Sequence, residues 1–142
     1  MNDEQDTIEQ LLAKCRRDQH GWLNGNTSVY ALPEEGTMMP ALGGVMAGGP
    51  RLAELQRLGA GLWESGSGDV EFLDGGVTGD LAWLVMVEHA EVKFVHRNGR
   101  ARWELRVTEL FRHNASGWER FHRHADPLVW GHTIDEALDL LT

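Results

Sequence analysis

Two histidines and an aspartate alternate near the end of the chain, at His122, His124 and Asp126. Side chains two residues apart on a β-strand project from the same face, so a strand here would bring two imidazoles and a carboxylate together. Such a group can exchange protons near neutral pH or bind a metal ion. The alternative is a structural cluster whose hydrogen bonds fix the end of the sheet. We favour a structural role, or catalysis or ligand contact, over metal binding, and we assign no metal ion and no cofactor.

A second candidate is Glu88, which directly follows the apolar run 81–87. A carboxylate in a mostly buried strand is costly unless it is paired, and Arg106 in the next strand is the natural partner. In a cavity, Glu88 could act as a base and Arg106 could stabilise developing negative charge. The alternative is a buried ion pair that only fixes the strand register. Thr108 shares the face of Arg106 and could donate to a ligand, although threonine is also common in strands.

These polar residues are predicted to converge on one concave pocket, partly walled by aromatic side chains. Of the six tryptophans, most should pack in the core or in a dimer interface, and one or two could line an apolar pocket. The candidate catalytic residues are therefore Glu88 and His122. The candidate ligand-binding residues are Arg106, Thr108, His124, Asp126 and Trp83.

The elements that must position these residues are helices first and strands afterwards. Apolar side chains at helical spacing predict the first helix, and Pro50 is suited to begin a later one that Gly66 and Gly68 end. Alternation of apolar and polar residues predicts the strands. The predicted helices are 3–20, 26–32, 50–63 and 133–141, and the predicted strands are 37–39, 70–77, 81–95, 100–113 and 118–128. This order is typical of an α+β protein.

The segment 105–128 resembles the terminal hairpin of SnoaL-like proteins of the nuclear-transport-factor-2-like superfamily. That hairpin has an Arg-x-Thr strand, a Gly-Trp turn and a His-x-His strand. The matching positions here are Arg106 and Thr108, Gly117 and Trp118, and His122 and His124. The turn Gly79-Asp80-Leu81-Ala82-Trp83 is similar to the one that opens the long strand of these proteins.

The resemblance implies a ketosteroid-isomerase-like, cystatin-like roll in which a cone-shaped, curved antiparallel sheet packs on N-terminal helices. It also implies a homodimer with a conical cavity in each subunit. Ketosteroid isomerases of this superfamily use an aspartate base with a tyrosine and a second acid. The chain's one tyrosine, Tyr30, follows the first helix and does not match that arrangement. The domain is expected to span 1–142, with a core over about 7–128 and a helical extension over 131–142.

The amino-acid composition disfavours some classes of binding partner and favours one cellular compartment. The formal net charge of −9 disfavours binding to nucleic acids and to anionic membrane surfaces. The single cysteine and the polar, acidic N-terminus favour a cytoplasmic location. The leading hypothesis is a homodimeric protein that binds a small apolar or aromatic ligand, with proton-transfer chemistry of the isomerase, cyclase or dehydratase kind as one option. The alternative is a non-catalytic association module with a vestigial pocket, and the sequence leaves open whether the chain is an enzyme.

Overall fold

The computed structural model describes residues 3–142, which form three helices and six strands. The elements are α1 (Asp3–Leu23), β1 (Thr37–Met39), β2 (Met46–Ala47), α2 (Pro50–Ala60), β3 (Trp63–Thr78), β4 (Leu81–Phe94), β5 (Ala101–Asn114), β6 (Gly117–Asp126) and α3 (Ile134–Leu140). The strands form one curved, unclosed sheet in the order β2-β1-β6-β5-β4-β3. The four long strands pair antiparallel as a meander, and β1 joins β6 in parallel. The predicted α+β architecture is therefore confirmed.

One face of the sheet packs against α1, and we call it the helix-facing face; the opposite one is the outer face. Leu11, Leu12 and Cys15 of α1 lie in the main core with Leu84 of β4 and Phe111 of β5. Because side chains alternate along a strand, every second residue is buried on this side from Ala82 to Val92 of β4 and from Leu105 to Phe111 of β5. On the outer face, the intervening residues are mostly half-buried in the single chain.

The predicted helix over 26–32 and the predicted start of β3 are both wrong, the first because of a local turn and the second because of contact between strands. In place of a helix over 26–32 there are turns, in which the Asn26 side chain accepts a hydrogen bond from the Ser28 N–H at 3.2 Å. Gly66 and Gly68 do not end a helix but lie in β3, which begins at Trp63 rather than at 70. A Cβ at Gly68 would stand 2.2 Å from the His89 carbonyl oxygen, so glycine allows the close approach of β4.

The C-terminal helix α3 forms where the sequence predicts it, with a capping box between Thr133 and Glu136 at its start. None of its residues is buried, and Ile134, Leu138 and Leu141 are all largely exposed. Within residues 3–142, no helix has the length and apolar character needed to cross a membrane.

Candidate functional site

A cavity of about 370 Å³ opens between the helix-facing side of the sheet, the end of α1, α2 and the loop between β1 and β2. Most of its wall is apolar. Its apolar lining includes Trp22, Leu52, Leu62, Phe94, Trp103 and Leu105. A concave, mainly apolar site of this volume with a few polar groups is typical of small-molecule binding.

Two charged side chains, Glu88 of β4 and Arg123 of β6, line this cavity. Both residues are buried, with 5% and 6% of their surface exposed. The Arg123 guanidinium donates to both carboxylate oxygens of Glu88, at 2.8 and 2.9 Å. A two-pronged bond of this kind fixes the orientation of both groups as well as neutralising them. The cavity therefore contains a paired carboxylate held in a fixed position.

Behind this pair, ion pairs continue through the core toward the surface. Arg123 also donates to Glu109 at 2.7 Å, and Glu109 lies 3.0 Å from Arg120. Arg120 in turn lies 2.9 Å from Asp18, which pairs with Lys14 of α1 at 3.1 Å. Positive and negative charges thus alternate over six residues, which we call the charge chain. Its members are Lys14, Asp18, Arg120, Glu109, Arg123 and Glu88.

Burial and the charge chain shift the pKa values of its own members and of the neighbouring Cys15. Burial alone would raise the pKa of Glu109, but Arg120 and Arg123 together lower it to about 2. Burial disfavours the charged form of Arg123, yet Glu88 and the other acidic neighbours raise its pKa above the ordinary value. Burial, and then the negative charge of Glu109, raise the pKa of the Cys15 thiol, which donates to Glu109 at 3.2 Å. Glu109 is therefore ionised and Cys15 is protonated at neutral pH.

Tyr30 covers the two arginines from the side of α2. Its ring centroid lies 4.1 Å from the guanidinium carbon of Arg123 and 5.2 Å from that of Arg120, within the range of cation–π attraction. Burial raises the pKa of the Tyr30 phenol well above its ordinary value. The carbonyl of Tyr30 accepts a hydrogen bond from the Gln56 side chain of α2 at 2.9 Å. Tyr30 thus connects the charge chain to the wall of the cavity.

Four of the residues predicted to share the pocket with Glu88 lie together on the outer face instead. Arg106 donates to Asp126 at 2.8 and 3.0 Å, and Thr108 is paired with His124 in the sheet. In the β4–β5 register Glu88 lies opposite Leu105, whereas Arg106 lies opposite Val87. The prediction that Arg106 pairs with Glu88 is therefore wrong, and so is the convergence of these residues on one pocket. Since alternate side chains take opposite faces, the sheet itself separates them.

The remaining two predicted site residues also lie away from the cavity. His122 hydrogen-bonds through Nδ1 to the Thr37 hydroxyl at 2.6 Å, and its burial, followed by the proximity of His124, lowers its pKa. Trp83 lies on the outer face, where its ring would be 2.8 Å from a Cβ placed at Gly76. Within residues 3–142, no three His, Cys, Asp or Glu side chains form a group that could hold a metal ion.

No family model matches the sequence, and no curated protein matches it. Solved structures do match. One is a protein of Streptomyces avermitilis described as a "putative dehydratase from the NTF2-like family", with a TM-score of 0.74 and 16% identity over 88% of this chain and 99% of that one. The chain has the nuclear-transport-factor-2-like fold.

Two further solved structures show the range of proteins that share this fold. A nuclear-transport-factor-2-like superfamily protein of Salmonella enterica serovar Typhimurium has a TM-score of 0.74 and 11% identity, over 89% of this chain and 94% of that one. The association domain of Caenorhabditis elegans calcium/calmodulin-dependent protein kinase II has a TM-score of 0.62 and 16% identity, over 87% and 98%. These neighbours include a protein described as a putative dehydratase and an association domain, so the fold is compatible with either function.

Proposed function

We propose that this chain is a small-molecule-binding protein whose apolar cavity holds its ligand against the Glu88–Arg123 pair. The observation that carries the proposal is a cavity of about 370 Å³ that ends on a buried, ion-paired carboxylate. A vestigial pocket in an association module would be expected to fill with large side chains instead, because empty apolar volume destabilises a core.

Proton transfer on the ligand is a further part of the proposal. Glu88 is the cavity residue suited to accept a proton, because each of its oxygens keeps a lone pair beyond the bond to Arg123. Arg123, rather than Arg106, is the cation beside it, and it would stabilise negative charge that develops on the ligand. His122 lies outside the cavity lining, so we do not retain it as the base.

A cavity-filling variant tests the binding proposal. Ala90 of β4 is buried and lines the cavity, so Ala90→Leu should place a larger side chain in the ligand's volume. Ala115→Leu is the matched control, since it makes the same enlargement in the exposed turn between β5 and β6, away from the cavity. With naphthalene as an uncharged probe and tryptophan fluorescence as the readout, the wild type and Ala115→Leu should bind and Ala90→Leu should not. Equal binding by all three would place the probe outside the cavity.

We also propose that the chain is a homodimer that associates through the outer face. In the single chain this face leaves Val85, Val87 and Leu110 only half-buried, and these apolar residues would gain cover from a second copy. Arg106 and Asp126 would lie at the same interface, so they and His124 would contact the partner rather than a ligand. Sedimentation at micromolar concentration should show a dimer for the wild type and a monomer for Val85→Lys. A monomeric wild type would contradict this proposal and leave the cavity proposal unaffected.

A further inference from the structure

The C-terminal helix α3 carries an apolar stripe that nothing within residues 3–142 covers. Ile134, Leu138 and Leu141 recur at helical spacing, and each is more than half exposed. The capping hydrogen bonds of the helix, between Thr133 and Glu136, lie within the segment itself. A helix of seven residues is marginal in water without tertiary packing, so the stripe needs a surface to pack against.

A second exposed apolar surface borders the mouth of the cavity, and we call it the rim. Its members are Leu42, between β1 and β2, and Leu55, Leu58 and Leu62 in and directly after α2. Leu42, Leu55 and Leu62 also line the cavity, so this surface begins inside the cavity and continues onto the outside of the protein. Exposed apolar residues that are grouped in this way mark an interaction surface.

The charges of α2 and α3 are complementary. Helix α2 contains two arginines and one glutamate, whereas α3 contains two aspartates, one glutamate and no basic residue. Arg51 and Arg57 of α2 and Asp135 and Asp139 of α3 are all exposed, and within the described part of the chain none of the four forms an ion pair. Contact between the two helices would bring these unpaired charges of opposite sign together, which favours α3 over a basic segment as the cover of the rim.

The segment that leads to α3 begins at the cavity. Ala125, the last residue but one of β6, lines the cavity, and so does Pro40, which follows the neighbouring strand β1. The residues 127–133 separate β6 from α3. Fully extended, they reach about 23 Å at about 3.3 Å per residue, which exceeds the width of a cavity of about 370 Å³. The rim is therefore within reach of α3 of the same chain.

We propose that α3 is a lid that docks its apolar stripe on the rim of its own chain and closes the mouth of the cavity. The structure describes the open form, in which both apolar surfaces are exposed. In the closed form, Leu138 packs against Leu55 and Leu58, and the aspartates of α3 approach Arg51 and Arg57. The docking is independent of any ligand, whereas control of ligand entry and release rests on the proposed function.

The reactivity of a thiol on the rim tests the docking. Leu58→Cys replaces an exposed residue, and the native Cys15 is buried, so the new thiol should be the one that Ellman's reagent reaches in the folded protein. Adding Leu138→Asp puts a charge in the stripe and should speed the reaction several-fold, because the lid no longer covers the thiol. Adding Leu140→Asp is the matched control, since Leu140 is also exposed but lies two residues on and does not share the face of Leu138. Equal rates in all three proteins would overturn the proposal.

Cross-linking identifies the chain that supplies the lid. A short bismaleimide should join the thiols of Leu58→Cys and Leu138→Cys within one chain, and the pair Leu58→Cys and Leu140→Cys should react less. The products are separated on a denaturing gel and mapped by mass spectrometry. A product of two linked chains in place of the single-chain product would show that a second copy covers the rim, and it would overturn the assignment to the same chain.

Release of naphthalene separates the lid from the proposed function. In stopped-flow fluorescence, Leu138→Asp should release the probe several-fold faster than the wild type, and Leu140→Asp should release it at the wild-type rate. If the rim thiol is protected but naphthalene does not bind, the docking stands and the proposed function fails. If naphthalene binds but neither thiol protection nor probe release responds to Leu138→Asp, the cavity proposal stands and the lid is wrong.

Discussion

Replacing Arg123 should be among the most destabilising single substitutions in this protein. Arg123 is 6% exposed and makes three hydrogen bonds of 2.7–2.9 Å to two carboxylates, Glu88 and Glu109. Arg123→Met preserves much of the side-chain volume but leaves Glu88 buried without its cation, while Glu109 keeps Arg120. Removing one partner of a buried ion pair costs about 3–5 kcal/mol, so a loss of that order in the free energy of unfolding is expected.

The matched control is Arg16→Met on the surface of α1. Arg16 also bonds to a carboxylate, that of Asp69 at 3.1 Å, but its side chain is 49% exposed, and exposed pairs contribute about 0–1 kcal/mol. Urea unfolding followed by far-ultraviolet circular dichroism would compare the two variants. The double variant Arg123→Met, Glu88→Gln should recover part of the loss, because the uncompensated charge is gone. Equal, small losses for Arg123→Met and Arg16→Met would refute the charge chain as described.

Three further predictions follow from the core. Phe111 is fully buried, so Phe111→Ala should lower the free energy of unfolding by about 3–5 kcal/mol in the same urea assay, and a change below about 1 kcal/mol would contradict its place in the core. Glu109 has a folded pKa of about 2, below its ordinary value of 4.5, so its contribution to stability should be fully present above about pH 4.5 and be lost as the pH falls toward 2. Acid titration of the wild type should show this loss, and Glu109→Gln should lack it. Burial and Glu109 keep the Cys15 thiol protonated, so Ellman's reagent should modify it slowly in the native protein and quickly in urea; fast native reaction would show that the thiol is accessible.

Much of the fold could be predicted from local patterns in the sequence. The alternation of apolar and polar residues predicted the ends of β4, β5 and β6 to within one or two residues, because each strand has one face that must be buried. The start of β3 was missed because its first residues include Gly66 and Gly68, which are usually signals of a turn. Their role depends on contact with β4 and α1, which no local pattern shows.

The sequence identified Glu88 as a residue of the candidate site, but Glu109 and Arg123 were harder to predict. Glu109 alternates with Val107 and Phe111 on the buried face of β5. A charged residue at a position where the alternation predicts an apolar one was therefore the feature of the sequence that indicated a buried ion pair. On β6, the sequence indicated His122 and His124 as site residues. Arg123, which lies between them, is the residue of this segment that lines the cavity with its charge.

A β-bulge explains why alternation alone could not find both arginines of the charge chain. Arg120 and Arg123 are three residues apart and would take opposite faces of a regular strand. The register shifts between Leu110 and Phe111, which pair with residues 122 and 120, and the extra residue brings both arginines to the helix-facing side.

The most direct test of the ligand site uses the six tryptophans as reporters. Trp22, Trp63 and Trp103 line the cavity, whereas Trp83, Trp118 and Trp130 do not. Each indole N–H gives its own signal in a nitrogen–proton correlation spectrum, and single Trp→Phe variants assign them. On titration with naphthalene, the three cavity indoles should shift, while the other three stay in place. Shifts confined to Trp83 and Trp118 would place the probe outside the cavity and contradict the proposed site.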